Sequence, residues 1–112
     1  MFNQAQPGYE ARLDESFFRV RLDRATELQR AYLRAMAQLG PDPQKALDVA
    51  DVMGRTSQNL APTRAELINM GLLYTREHGY AAFTVPHFDK FILRAIPELV
   101  VPPLRRRKDS QP

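Results

Sequence analysis

Between Ala46 and Val85, turn-forming residues and apolar spacing leave this chain few folds to choose from. Ala46 to Met53 (ALDVADVM) reads as a short apolar helix stopped by Gly54. Arg55-Thr56-Ser57 is a polar turn, and Ser57 or Thr56 then caps a longer amphipathic helix that ends at Gly71. Leu72-Leu73-Tyr74-Thr75-Arg76 and the run from Tyr80 to Val85 flank Glu77-His78-Gly79 like two strands around a tight turn. Helix, turn, helix and β-hairpin in this order predict a winged helix-turn-helix, an architecture that most often binds double-stranded DNA.

The flanking segments extend that pattern. Thr26-Glu27-Leu28-Gln29 has the form of a capping box. The helix it opens carries Leu28, Tyr32, Ala35, Met36 and Leu39 on one face, and Gly40-Pro41 stops it. Arg30 and Arg34 read as its solvated side. Phe17-Phe18-Arg19-Val20-Arg21-Leu22 alternates apolar and cationic residues, which predicts an extended segment with Phe18, Val20 and Leu22 facing inward. A short helical turn is expected between Tyr9 and Ser16. Asp42-Pro43 reads as the turn into the Ala46 helix, in which Leu47, Ala50 and Met53 recur at three-residue spacing with Val49 and Val52 alongside, while Asp48 and Asp51 are exposed. Pro86 opens a last helix with Phe88, Phe91, Ile92, Ala95 and Ile96 on its apolar face, and Pro97 ends it. The expected fold is mainly α with a β-hairpin (α+β), ordered helix-helix-helix-hairpin-helix. Three segments are expected: a partly disordered leader over 1–16, the domain over 17–98, and a Pro/Arg-rich flexible tail over 99–112.

Composition removes most chemistry. The 112 residues are enough for one domain and contain no cysteine, which excludes disulfides and thiolate metal sites. The five glycines are widely separated and each falls at a break, so no phosphate-cradling loop exists and no cofactor is expected. His78 and His87 stand nine residues apart with no third ligand at a recognisable spacing, which argues against a metal. Nothing supports a nucleophile, so the chain is not expected to be an enzyme. No apolar run approaches the ~18 residues of a membrane span, and the N-terminus has no signal-peptide pattern, so a cytoplasmic protein is expected. The charge balance is uneven. Of sixteen Lys/Arg and thirteen Asp/Glu, four cations and one acid fall within 105–109, leaving the first hundred residues neutral at twelve of each. A phosphate-binding domain ordinarily carries its cationic excess on the folded surface.

DNA contacts are expected from the start of the Ser57 helix and from the hairpin. Facing away from the Leu60/Ala61/Leu67/Ile68 stripe are Gln58, Asn59, Pro62, Glu66 and Asn69, and Gln and Asn side chains suit adenine edges. Arg55, Thr56, Ser57 and Thr63 are placed to reach phosphates, together with the free amides of the helix start. Arg76, His78 and Tyr80 are the candidates on the hairpin. Arg64 falls on the buried side, with its stem packed and its head expected on a carboxylate or carbonyl. Pro62 predicts a distorted first turn, or a helix that starts nearer Ala61.

Several phrases together resemble one family. They are Phe18-Arg19-Val20-Arg21-Leu22, Thr26-Glu27, Tyr32 to Ala37, Leu39-Gly40-Pro41, Asp48-Val49-Ala50, Leu60-Ala61-Pro62-Thr63-Arg64, Leu67-Ile68, Gly71-Leu72-Leu73-Tyr74, Gly79 to Pro86 and Phe88-Asp89-Lys90-Phe91. Over about Ser16 to Pro97 the chain resembles the C-terminal winged helix-turn-helix domain of bacterial AAA-type ATPases related to origin-recognition ATPases. The resemblance implies a fragment of a larger ATPase whose nucleotide site lies upstream. It carries over no base-reading residue. Two functions follow as expectations: a domain that binds double-stranded DNA, or a module that docks on its parent ATPase domain or a neighbouring subunit.

Overall fold

A computed structural model describes residues 15–104. The leader up to residue 14 and the end from Arg105 to Pro112, expected to be disordered, lie outside the described residues. Over the described residues the fold is α+β: five helices and a small three-stranded antiparallel sheet. Helix α1 covers residues 15–23. It is followed by α2 (Glu27–Leu39), β1 (Gln44–Lys45), α3 (Ala46–Met53), α4 (Ser57–Asn69), β2 (Leu73–Tyr74), β3 (Tyr80–Phe83) and α5 (Phe88–Ala95).

Helix α2 is the centre of the molecule and packs against α3, α4 and α5. Its capping box forms as its sequence requires. The Gln29 amide donates to Thr26 Oγ1 at 3.1 Å, and the Thr26 amide donates to Gln29 Oε1 at 2.9 Å. Tyr32, Leu33, Ala35 and Met36 are almost wholly buried, which is why this helix tolerates neighbours on three sides. Leu39, expected on the apolar face, ends 38% exposed at the last turn.

The Phe17–Leu22 segment is helical, not extended. Phe18 and Leu22 are buried at 2% and 4%, four residues apart, whereas Val20 is 55% exposed. An alternating pattern would have buried all three on one face; the helical spacing keeps only the first and last. The cations that suggested alternation instead lie over aromatic rings. The Arg21 guanidinium sits 3.6 Å from the Phe17 ring centroid and that of Arg19 is 5.3 Å from Phe91. Phe18 enters an aromatic cluster with Phe88 and Phe91, at centroid distances of 4.9 and 5.4 Å.

Helices α3 and α4 are joined as the turn residues dictate. Gly54 takes the left-handed conformation (φ 71°), which a side chain would strain, and its amide closes α3 on the Ala50 and Asp51 carbonyls. Thr56, the N-cap of α4, accepts from the Asn59 amide at 3.0 Å. The helix runs through Pro62 from Ser57, so the proline removes one backbone donor without delaying the start. The buried stripe of α4 is Leu60, Thr63 and Leu67, rotated slightly from the expected one, with Ala61 and Ile68 only half-buried.

The sheet holds one strand more than the hairpin. Strand β3 lies in the middle of the order β1-β3-β2, pairing Gln44 with Ala81 and Leu73 with Phe83. The Asp42-Pro43 turn therefore leads into β1 before α3 starts, and the Ala46 amide donates to the Gly79 carbonyl at 2.8 Å. This fixes the hairpin turn beside the start of α3. Helix α5 starts at Phe88, one residue after His87, which adopts a left-handed φ of 71°. Beyond Ala95 the chain continues over the helices: Leu99 and Val101 pack against the core, so the part of the expected tail within the described residues is docked.

Candidate nucleic-acid interface

Because β1 and the hairpin turn are tied to the start of α3, a groove opens between them and the outer side of α4. Its volume is about 790 Å³. One wall is formed by Ser57, Gln58, Ala61, Arg64, Ala65 and Ile68 of α4; the other by Thr75, His78, Gly79 and Tyr80. Lys45, Ala46 and Leu47 close one side. The small side chains Ala61 and Ala65 let a partner approach the α4 backbone closely. Among the described residues the lining holds Lys45, Arg64 and His78 and no carboxylate. In a domain whose acids and bases balance, that one-sided lining makes the groove a locally cationic surface.

The expected contact residues divide into three groups. Ser57, Gln58, His78 and Tyr80 are brought together on the groove. Arg76 is exposed on the other side of the hairpin, in a smaller hollow of about 270 Å³ with Tyr74 and Glu77. Asn59 is exposed in the first turn of α4 beside the capping Thr56. Two residues are corrected. Thr63 is 6% exposed, because its position three after Leu60 and four before Leu67 places it in the core stripe, so it has no access to a phosphate. Arg55 is already engaged: its Nη2 donates to the Pro102 carbonyl.

The remaining outward residues of α4 are placed as expected: Gln58, Asn59, Pro62, Glu66 and Asn69 are all exposed. Glu66 is held toward α2, accepting from Gln29 Nε2 at 2.8 Å, and is not on the groove. Asp48 and Asp51 are exposed on α3, also outside the lining.

Among the described residues Arg64 is bonded to neither a carboxylate nor a carbonyl. Its guanidinium lies beside the hydroxyl of the buried Tyr32, and its Nη1 is buried without a hydrogen-bond partner among the described residues. Burial raises the Tyr32 hydroxyl above its usual value of about 10, and the neighbouring Arg64 pulls it part of the way back. An incompletely paired cation in a wall of the groove adds positive potential there.

Arg30 and Arg34 were expected to be solvated, yet both hold backbone. Arg30 Nη1 donates to the Ala25 carbonyl at 2.5 Å, and Arg34 Nε donates to the Ile96 carbonyl at 2.6 Å. Lys45 and Thr75 are groove residues that sequence reasoning missed. Lys45 belongs to a two-residue strand whose partner lies 35 positions on, a pairing no local pattern announces. Thr75 was visible as part of the hairpin but carried no separate signal.

Residues 15–92 match a domain of unknown function, DUF8462. The chain belongs to the DUF8462 family. Neither a curated protein nor a solved structure matches it. The DUF8462 span contains both walls of the groove and stops within α5, before the segment that Arg34 and Arg55 hold. No helix among the described residues is long and apolar enough to cross a membrane. No group of three His, Cys, Asp or Glu among them is arranged to hold a metal ion.

Proposed function

We propose that this DUF8462 domain is a winged helix-turn-helix that binds double-stranded DNA, with α3 and α4 as the helix-turn-helix and the β2–β3 hairpin as the wing. The observation that carries the reading is the groove between α4 and the wing, lined by Lys45 and Arg64 and, among the described residues, by no carboxylate, in an otherwise neutral domain. In this reading α4 enters the major groove with Gln58 and Asn59 leading, and Ala61 and Ala65 allow close approach. A phosphate strand lies in the groove against Lys45, Ser57 and His78, while Arg64 contributes its field from the wall. Arg76 and Tyr80 meet the backbone from the wing.

The resemblance to C-terminal domains of bacterial AAA-type ATPases supports a place in a larger, cytoplasmic ATPase, where the domain would hold the template. A second reading is docking on that ATPase module or a neighbouring subunit. It is favoured by Leu47, which is 64% exposed on the rim of the groove.

The test is a titration of the full chain with a short mixed-sequence duplex, followed by fluorescence anisotropy across a range of salt. DNA binding requires saturable association whose log affinity falls by about 0.9 for each phosphate neutralised per tenfold rise in salt. A version ending at Val100 should retain a slope worth several phosphates. Loss of all binding in that version would leave the docking reading standing.

A further inference from the structure

The hollow on the other side of the hairpin has no occupant in the duplex-binding reading. Its volume is about 270 Å³, and Pro43, Tyr74, Arg76, Glu77, Tyr80 and Ala82 line it. Tyr74 pairs with Ala82 across β2 and β3, and Tyr80 stands two residues before Ala82 on β3. These three side chains therefore share one face of the sheet. The two tyrosines are diagonal neighbours, a relation that sets side-chain attachment points about 7–8 Å apart. A flat ring in contact with a group on each of its faces needs nearly the same spacing, twice a contact of about 3.5–4.0 Å. Ala82, 6% exposed, offers only a methyl group as the floor, so the slot is not filled from below.

The walls are set in advance by the hairpin. The Tyr80 amide donates to the Glu77 carbonyl at 3.0 Å, and the Thr75 hydroxyl donates to the Tyr80 carbonyl. Tyr74 is 39% exposed, and the charged side chains of Arg76 and Glu77 stand exposed at the rim. The rim thus offers hydrogen-bond donors and an acceptor beside an aromatic slot. A nucleobase matches this set, with a flat ring to stack and an edge that carries donors and acceptors together. A proline ring or an aliphatic side chain has no such edge. Tyr80 also lines the cationic groove, so groove and hollow meet at one residue. A paired base is held in its own stack and cannot enter a pocket of this kind; an unpaired one can.

We propose that the hollow takes one unpaired nucleobase of a strand that continues out of the groove, stacked between Tyr74 and Tyr80 with its edge toward Arg76 and Glu77. The domain then prefers sites where single strand adjoins duplex over uninterrupted duplex. The inference rests on the DNA-binding reading and adds a second subsite to it.

The experiment is a set of anisotropy titrations of the full chain. A blunt mixed-sequence duplex is compared with the same duplex carrying a three-nucleotide single-stranded extension, at its 5′ or its 3′ end. A further duplex carries an extension of abasic nucleotides, which keeps the phosphates and removes the bases. An extension of one polarity should tighten binding about tenfold, the gain of a single base stacked on aromatic rings, and its abasic form should lose that gain. Tyr74→Ala should bind blunt duplex as the parent does and lose the gain; Tyr74→Phe, which keeps the ring, should retain it. Thermal melts report that each variant is folded. The fluorescent base 2-aminopurine in the extension should be quenched on binding to the parent chain, a readout of stacking that needs no variant. The proposal is overturned if neither extension tightens binding, if the abasic form gives the same gain, or if folded Tyr74→Ala keeps it. Binding of an oligoproline peptide that depends on Tyr74, with no gain from either extension, would assign the hollow to an extended proline segment and overturn it equally. In all these cases blunt duplex still binds and the groove reading survives. Failure of the parent chain to bind blunt duplex at any salt removes the groove reading itself, and this inference with it.

Discussion

Phe91→Ala is expected to remove a large share of the domain's stability. Phe91 is 1% exposed and belongs to the aromatic cluster that joins α1 to α5, with Phe18 at 5.4 Å and Phe88 at 6.3 Å between ring centroids. Truncating a phenylalanine in such a site costs about 3–5 kcal/mol, through lost apolar burial and the cavity left behind. Small domains are stable by only about 5–15 kcal/mol in total, so a loss of this size is a large fraction of the margin. Two further contacts are lost here. The Arg19 and Arg94 guanidinium groups lie over the same ring, at 5.3 and 6.0 Å from its centroid. Urea unfolding followed by circular dichroism measures the effect. A loss below about 1 kcal/mol would mean that α5 and α1 do not share a core.

Charge reversal in the groove is expected to abolish useful DNA affinity while leaving the fold intact. Ala65 is exposed on the outer side of α4 and Lys45 is exposed at the edge of β1; both line the groove. Glutamate is a good helix former, so Ala65→Glu costs α4 little. Lys45→Glu touches no buried group. Each variant sets a carboxylate against a phosphate strand, and unfavourable like-charge placement in an interface is worth several kcal/mol. Duplex affinity should fall at least tenfold for either, with melting temperatures close to that of the parent chain. Asp51→Ala, outside the groove, should bind as the parent does. Undiminished affinity in both groove variants would move the DNA surface elsewhere.

The parts of this molecule that local patterns control are legible in its sequence. The capping box of α2, the Gly54 stop, the Thr56 cap and the tight turn at Gly79 each depend on residues within a few positions of one another. Helix α1 was misread because Phe18, Val20 and Leu22 fit a period of two as well as Phe18 and Leu22 fit a helix. Cation–ring contacts from Arg19 and Arg21, not strand pairing, explain why arginines sit between those apolar residues. Strand β1 is too short for any periodicity. Its existence depends on β3, far along the chain.

For the candidate site the division is the same. Gln58, Ser57, His78 and Tyr80 followed from helix and hairpin geometry. Thr63 went the wrong way because a shift of the buried stripe by part of a residue moves a side chain from surface to core. Arg55 and Arg34 were misassigned because their partners, the Pro102 and Ile96 carbonyls, are 47 and 62 residues away. An arginine that holds a distant backbone segment looks, in sequence, the same as one free to bind a phosphate.

The most direct measurement is amide chemical-shift mapping of the isotopically labelled chain with a short mixed-sequence duplex. The account expects the shifts to concentrate on Lys45, on Gln58, Ala61 and Ala65 along one side of α4, and on Thr75, His78 and Tyr80, with the far side of α2 unmoved. Shifts that avoid both walls of the groove, or none at all at saturating duplex, would contradict it.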